Sequence, residues 1–132
     1  MEEVQFYLGI DWGKSKIGLA LADSVNNIAT PYKIVKNIDE VIKIIKQENI
    51  DLIVLGKPLK MSGSDLKMTQ GFGSFVAKLG QAVNRPIELI DERLTTKQAD
   101  KLLLGNKGGR HEDAVVAMII LQSYLDKLIL NA

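Results

Sequence analysis

An α/β domain on a mixed five-stranded sheet, three antiparallel strands followed by βαβ crossovers with helices on both faces, is what this 132-residue sequence predicts. Three observations carry the expectation. Two short apolar runs joined by a glycine-containing turn open the chain, the hydrophobic spacing then lengthens to that of a helix, and two further short apolar runs alternate with helical segments. The length is that of one domain, and residues 1–132 are read as one, with no repeat, linker or low-complexity run.

Val4–Ile10 (VQFYLGI) is rich in β-branched and aromatic residues and stops at Asp11, as a strand does. A turn, Trp12–Lys16, carries Gly13 and leads to a second strand, Ile17–Ala22 (IGLALA), paired with the first. Tyr32–Val35, after Thr30-Pro31, is a third strand closing an antiparallel meander. Ile38, Val41, Ile42, Ile45 and Ile50 then recur at three- and four-residue steps across charged positions, which predicts an amphipathic helix. Leu52–Leu55 (LIVL) has the continuous apolar character of a strand buried on both faces. Gly56–Lys67 reads as a loop, and Gly71–Val83 as a helix weakened by Gly71, Gly73 and Gly80. Ile87–Ile90 is a further buried strand. Thr95-Thr96 can cap a helix through Leu104, ended by Gly105, Gly108 and Gly109, and Glu112–Leu130 is the last and strongest helix.

Composition narrows the chemistry. With no cysteine, disulfides, thiolate zinc sites, iron–sulfur clusters and cysteine nucleophiles are excluded. His111 is the only histidine, which excludes a multi-histidine metal site. No stretch reaches the ~18 to 20 uncharged apolar residues that span a bilayer, and Glu2, Glu3 and Gln5 stand where a signal peptide would be basic and apolar. A cytoplasmic location is expected. The net charge of +1 announces no global basic field. Lys14, Lys16, Lys57, Lys60, Lys67, Lys107 and Arg110 fall in predicted turns and loops, where solvated surface lysines are the plain reading. What remains is chemistry by carboxylates, hydroxyls and backbone, with or without a hard metal ion.

Ligand sites in such sheets lie at the carboxyl ends of strands. Asp11 ends the first strand, Asp91-Glu92 ends the fifth, and Asp113 opens the last helix, so the topology can gather acids spread over roughly 100 residues of chain. Asp11, followed by Gly13, suits a divalent cation or simply starts a turn. Of Asp91 and Glu92 one could ligate metal while Arg93 pairs with the other or with a phosphate; alternation leaves open which acid points inward, and Glu92 is favoured. Asp113 lies off the polar arc of Gln122, Ser123, Asp126 and Lys127, on the side of Ala117, Ile120 and Leu121. It either serves the helix N-terminus or faces the sheet and meets a metal. Carboxylates converging on hard cations without histidine suit phosphodiester hydrolysis, in which two Mg²⁺ ions activate water and stabilise the leaving oxygen.

Five segments in order resemble the YqgF/RuvX family of bacterial RNase H-like proteins, described as Holliday junction resolvases and as nucleases that process the 5′ end of pre-16S ribosomal RNA. They are Leu8-Gly9-Ile10-Asp11 with Gly13 and Ile17-Gly18-Leu19-Ala20; Asp23 with Ala29–Pro31; Leu55-Gly56-Lys57-Pro58 through Met61–Ser64; Asp91-Glu92-Arg93-Leu94-Thr95-Thr96; and Asp113-Ala114 with Ala117 and Ile120–Asp126. The resemblance covers nearly the whole chain. It implies an RNase H-like fold, Mg²⁺ or Mn²⁺ as cofactor, and a nucleic acid partner, pre-rRNA or branched DNA, for a monomer or homodimer. It also implies that Asp11, Glu92 and Asp113 are the metal-binding catalytic acids, with Asp91 second in rank. Lys14, Lys16, Lys57, Ser64, Arg93 and Thr95 would lie near substrate phosphates. The chain departs from the family's usual Lys-Arg before the second strand, having Ser15-Lys16, and carries Ser62 where an Asp is frequent.

Two other functions compete. One is a catalytically weak or inactive RNA or ribosome-precursor binding module of the same fold. The other takes the Asp11-Trp12-Gly13 turn as the phosphate contact of a sugar-kinase or actin-type ATP fold, which would need two such domains around the nucleotide. Among lone features, Trp12 could stack on a base but packing is the simpler role. His111 reads as surface and the 105–110 segment as a connector or phosphate contact, with Met61 and Met68 as packing residues.

Overall fold

β1 (Phe6–Asp11) occupies the centre of the sheet in a computed structural model that describes residues 3–58, 66–91 and 112–131. β2 (Ile17–Asp23) runs antiparallel on one side of it, and β3 (Thr30–Val35) runs antiparallel to β2. β4 (Leu52–Lys57) and then β5 (Ile87–Asp91) lie parallel on the other side, giving the order β3-β2-β1-β4-β5. Helices α1 (Ile38–Gln47) and α2 (Leu66–Ala82) cover one face, and α3 (Glu112–Leu130) covers the other. The mixed five-stranded sheet with helices on both faces is therefore present as expected.

Strand alternation explains the two cores. Leu8 and Ile10 of β1, Leu19 of β2, and Ile53 and Leu55 of β4 pack against Val41, Ile44 and Ile45 of α1 and Phe72, Phe75 and Leu79 of α2. The alternate positions Tyr7, Ala20, Ala22, Val54 and Ile90 meet Ala117, Ile120, Leu121 and Leu125 of α3. Several residues on the α3 side are small (Ala20, Ala22, Ala117), and two glycines set how closely the helix approaches. A Cβ on Gly9 would stand 2.7 Å from Leu121 Cβ and 2.8 Å from the Ala117 carbonyl. A Cβ on Gly18 would overlap the Asp113 carbonyl.

α1 begins at Asn37, whose side chain accepts from the Glu40 N–H at 3.0 Å, while the Glu40 carboxylate accepts from the Lys36 N–H at 2.6 Å. It ends where Asn49 turns left-handed at φ 53°, and the Ile50 N–H returns to the Ile45 carbonyl at 3.0 Å. Ile50 is thus part of the helical apolar pattern but follows the helix.

Boundaries shift where tertiary contacts outweigh local signals. β1 starts at Phe6 rather than Val4, because the Phe6 N–H is held by Asp51 Oδ2 at 2.9 Å and Val4 is exposed. α2 starts at Leu66, five residues before the predicted start, and its glycines do not break it. Burial of Phe72, Phe75 and Leu79 supports the helix, and Gly71 leaves room for the Trp12 ring, 3.0 Å from where a Cβ would stand. The helix predicted over Thr95–Leu104 lies outside the described residues. No described helix is long and apolar enough to cross a membrane.

Candidate acidic site at the carboxyl edge of the sheet

The parallel strands β1, β4 and β5 end at one edge of the sheet in Asp11, Lys57 and Asp91, and β2 begins there at Ile17. The turn between β1 and β2 is tight: a Cβ on Gly13 would stand 2.7 Å from the Lys16 carbonyl. Trp12 leaves the edge on the α2 side, edge-on to Phe72 with ring centroids 5.8 Å apart and tilted against Phe75 at 6.4 Å. Its role is packing, and it closes the core beneath the turn.

Asp11 and Asp113 arrive on the α3 side from either flank of Gly18. Asp11 continues the Tyr7, Gly9 alternation that faces α3 and is the register partner of Gly18 across the β1–β2 ladder. Gly18 in turn abuts the Asp113 backbone in the first turn of α3. The missing side chain at Gly18 is what lets the helix bring its acid down to the strand that carries Asp11. The helical arc expected for Asp113 is observed, with Ala114, Ala117, Ile120 and Leu121 buried beside it.

Asp113 Oδ2 is buried with no hydrogen-bond donor among the described residues, although the side chain as a whole keeps 27% exposure. Lys16 Nζ stands 3.3 Å from that oxygen, at ion-pair distance but without hydrogen-bond alignment. Lys16 is the residue just before β2, two positions from Gly18, and its ammonium reaches the side of the sheet on which Asp113 stands. Its own side chain is 63% exposed. Lys14, in the turn, is exposed at the same edge.

The remaining predicted residues divide by face or lie elsewhere. Alternation along β4 and β5 puts Val54 and Ile90 with α3, and Lys57 and Asp91, lateral neighbours in register, on the opposite face. Glu92, Ser64, Arg93 and Thr95 lie outside the described residues, as do Met61, His111 and the 105–110 segment. Among the described residues no three acids or histidines come together as a metal-ligand set.

Two features away from this edge were not evident from sequence. Gln122, placed on the polar arc of α3, accepts from the Ala29 N–H at 2.8 Å and donates to the Asn27 carbonyl at 3.1 Å, pinning the β2–β3 loop to the helix. A cavity of about 440 Å³ opens near the start of β1, between Phe6, Leu21, Ile28 and Ile50 with Asp23 and Glu48; it contains none of the edge acids. On the α3 face, burial first, then Asp51 and Asp23, pushes the Tyr7 hydroxyl above its ordinary 10.0. Burial, with Glu88 and Tyr7 beside it, does the same for Tyr124.

The chain is similar to a described family and to solved folds. The profile of the family described as "RuvX: Holliday junction resolvase" matches residues 5–127. A protein of Endomicrobium trichonymphae named "Putative pre-16S rRNA nuclease" is 35% identical over 131 residues, covering 90% of this chain and 94% of its own. A Dictyoglomus turgidum protein of the same name is 35% identical over 135 residues, covering 94% and 96%. In structure, RuvC of T. thermophilus, solved with a Holliday junction substrate, superposes with a TM-score of 0.65 at 14% identity, covering 95% of this chain and 96% of that one. The resolvase of Fowlpox virus, solved with Holliday junction DNA, gives 0.63 at 16% identity, covering 95% and 99%. At those identities the two structures bear on the fold, which is the RNase H-like one.

Proposed function

This chain belongs to the RuvX family, whose names are those of nucleases, and from that premise we propose that it is a divalent-metal-dependent endonuclease cleaving phosphodiester bonds of structured nucleic acid. The observation that carries the reading is the pair Asp11 and Asp113, brought to either side of Gly18, with one Asp113 oxygen buried and lacking a hydrogen-bond donor among the described residues. Such an oxygen suits a hard cation, and a chain with no cysteine and one histidine offers oxygen donors for one. Asp11 and Asp113 would hold Mg²⁺ or Mn²⁺. Glu92, the acid favoured from the sequence, would complete the set. A bound ion of this kind supplies an activated water and stabilises the leaving oxygen.

The protein's own part is to position. β1, hydrogen-bonded on both sides, fixes Asp11, and the Gly18 seat fixes Asp113 against it. Lys14 and Lys16 at the same edge would attract substrate phosphates, and Ser64, Arg93 and Thr95, with Lys57 at the end of β4, would add to the substrate contacts. The substrate class follows from the relatives, named for pre-16S rRNA, and from the resolvases, solved with Holliday junctions. A single domain working in the cytoplasm as a monomer or homodimer goes with either. Cutting a junction symmetrically requires two copies.

The test is cleavage of a pre-16S rRNA 5′ segment and of a four-way DNA junction with Mg²⁺ or Mn²⁺, by the unaltered protein and by Asp11→Asn. Cleavage of either substrate that is lost in the variant and on chelation is the expected result. Equal activity of both proteins rejects the assignment, and metal-independent binding without turnover makes the chain a binding module.

A further inference from the structure

Lys16 places a positive charge beside an Asp113 oxygen that is buried and has no hydrogen-bond donor among the described residues. We propose that Lys16 is a tethered counter-cation of the acidic site, paired with Asp113 Oδ2 in the metal-free protein and displaced by the divalent ion on loading; this rests on the metal-dependent reading above.

The geometry makes the pair both necessary and easily broken. A buried carboxylate oxygen without a donor is unfavourable unless a positive charge stands near it, and Lys16 Nζ at 3.3 Å supplies one. The contact lacks hydrogen-bond alignment, so it is held by charge alone. The lysine is 63% exposed, and its flexible stem can swing into solvent while the backbone stays fixed. That backbone cannot drift from the site, because Gly18, two residues on, is wedged against the Asp113 carbonyl.

An ammonium 3.3 Å from the oxygen and a divalent ion bound to that same oxygen repel each other, which favours the arrangement with the lysine withdrawn. A divalent ion held by two carboxylates wins over a single screened ammonium, and the displaced lysine is then free at the same edge to meet an anionic phosphate. Having Lys16 where the family commonly has Arg favours displacement. A guanidinium grips a carboxylate at two points and releases it less readily than a point charge.

The experiment is calorimetric titration of the intact, metal-free protein with Mn²⁺ alone, using the unaltered chain, Lys16→Met, Lys16→Gln, Lys14→Met and Asp11→Asn, each first checked for folding by its thermal melt. Lys16→Met is expected to bind Mn²⁺ roughly three- to tenfold more tightly, the scale of one partly exposed ion pair. Lys14→Met, which removes the same charge from the same turn but not the contact, should change affinity by less than about twofold. Lys16→Gln should repeat the Lys16→Met result, separating charge from packing.

Affinity unchanged or weakened in Lys16→Met, or an equal gain in Lys14→Met, overturns the counter-cation role. The metal reading then still stands if the unaltered chain binds Mn²⁺ and Asp11→Asn does not. Absence of Mn²⁺ binding by the unaltered chain overturns both.

Discussion

Asp113 illustrates how one side chain can be half legible. Its place on the apolar side of the last helix follows from counting residues at 100° each, and Ala117, Ile120 and Leu121 are buried beside it as that count requires. What it meets cannot be counted, because Lys16 is some 100 residues away in the chain and the contact exists only through the fold. Removing its charge should abolish metal-dependent turnover: Asp113→Asn is expected to lower the cleavage rate at saturating Mg²⁺ at least about 100-fold, measured in single-turnover assays. A second residue-scale prediction concerns alkali. Tyr7 and Tyr124 titrate above 10.0 when folded, so the unfolded chain loses those protons first. Stability is then complete below about pH 10 and declines as pH rises beyond it. Urea melts across that range should show the decline, and Tyr7→Phe with Tyr124→Phe should flatten it.

Among elements, glycine separates what local propensity can tell from what it cannot. Gly71, Gly73 and Gly80 weaken α2 in any propensity sum, and that sum shortens the helix at its start. Gly71 is there for Trp12, whereas Gly73 and Gly80 face open space with nothing within 4 Å of a Cβ. Gly73→Ala and Gly80→Ala should each stabilise by about 0.5–1 kcal/mol, read as a raised denaturant midpoint with an unchanged slope. Gly9→Ala should do the reverse by about 1–3 kcal/mol, because Leu121 Cβ and the Ala117 carbonyl are not flexible ends that can move aside. The strands were legible to within two residues at either end, since two-residue alternation and continuous apolar runs mark them directly. The pinning of the β2–β3 loop by Gln122 was not, because a glutamine on a polar arc carries no sign of its partner.

At the scale of the molecule, element order and the carboxyl-edge rule were enough to name the edge that gathers Asp11 and Asp113. They could not divide the strand-end residues between faces. That division required the register, which separates Lys57 and Asp91 from the α3 side. Metal should act on the whole fold, since an ion bound only by the native arrangement stabilises it by mass action. At 100 times its Kd, Mg²⁺ or Mn²⁺ should add about 2.7 kcal/mol. A thermal melt should therefore rise with the ion, fall back with chelator, and show no rise in Asp113→Asn.

The central place of β1 has a kinetic corollary. Flanked by β2 and β4 and covered on both faces, its amides should be among the last to take up deuterium, after those of the outer strands β3 and β5. Asp11 therefore stands at the end of the segment that opens least often, while Asp113 hangs on the first turn of a helix, where fraying begins. Transient breathing of the native state would disassemble the acid pair from the helical side, leaving the strand-borne half in place to receive it again.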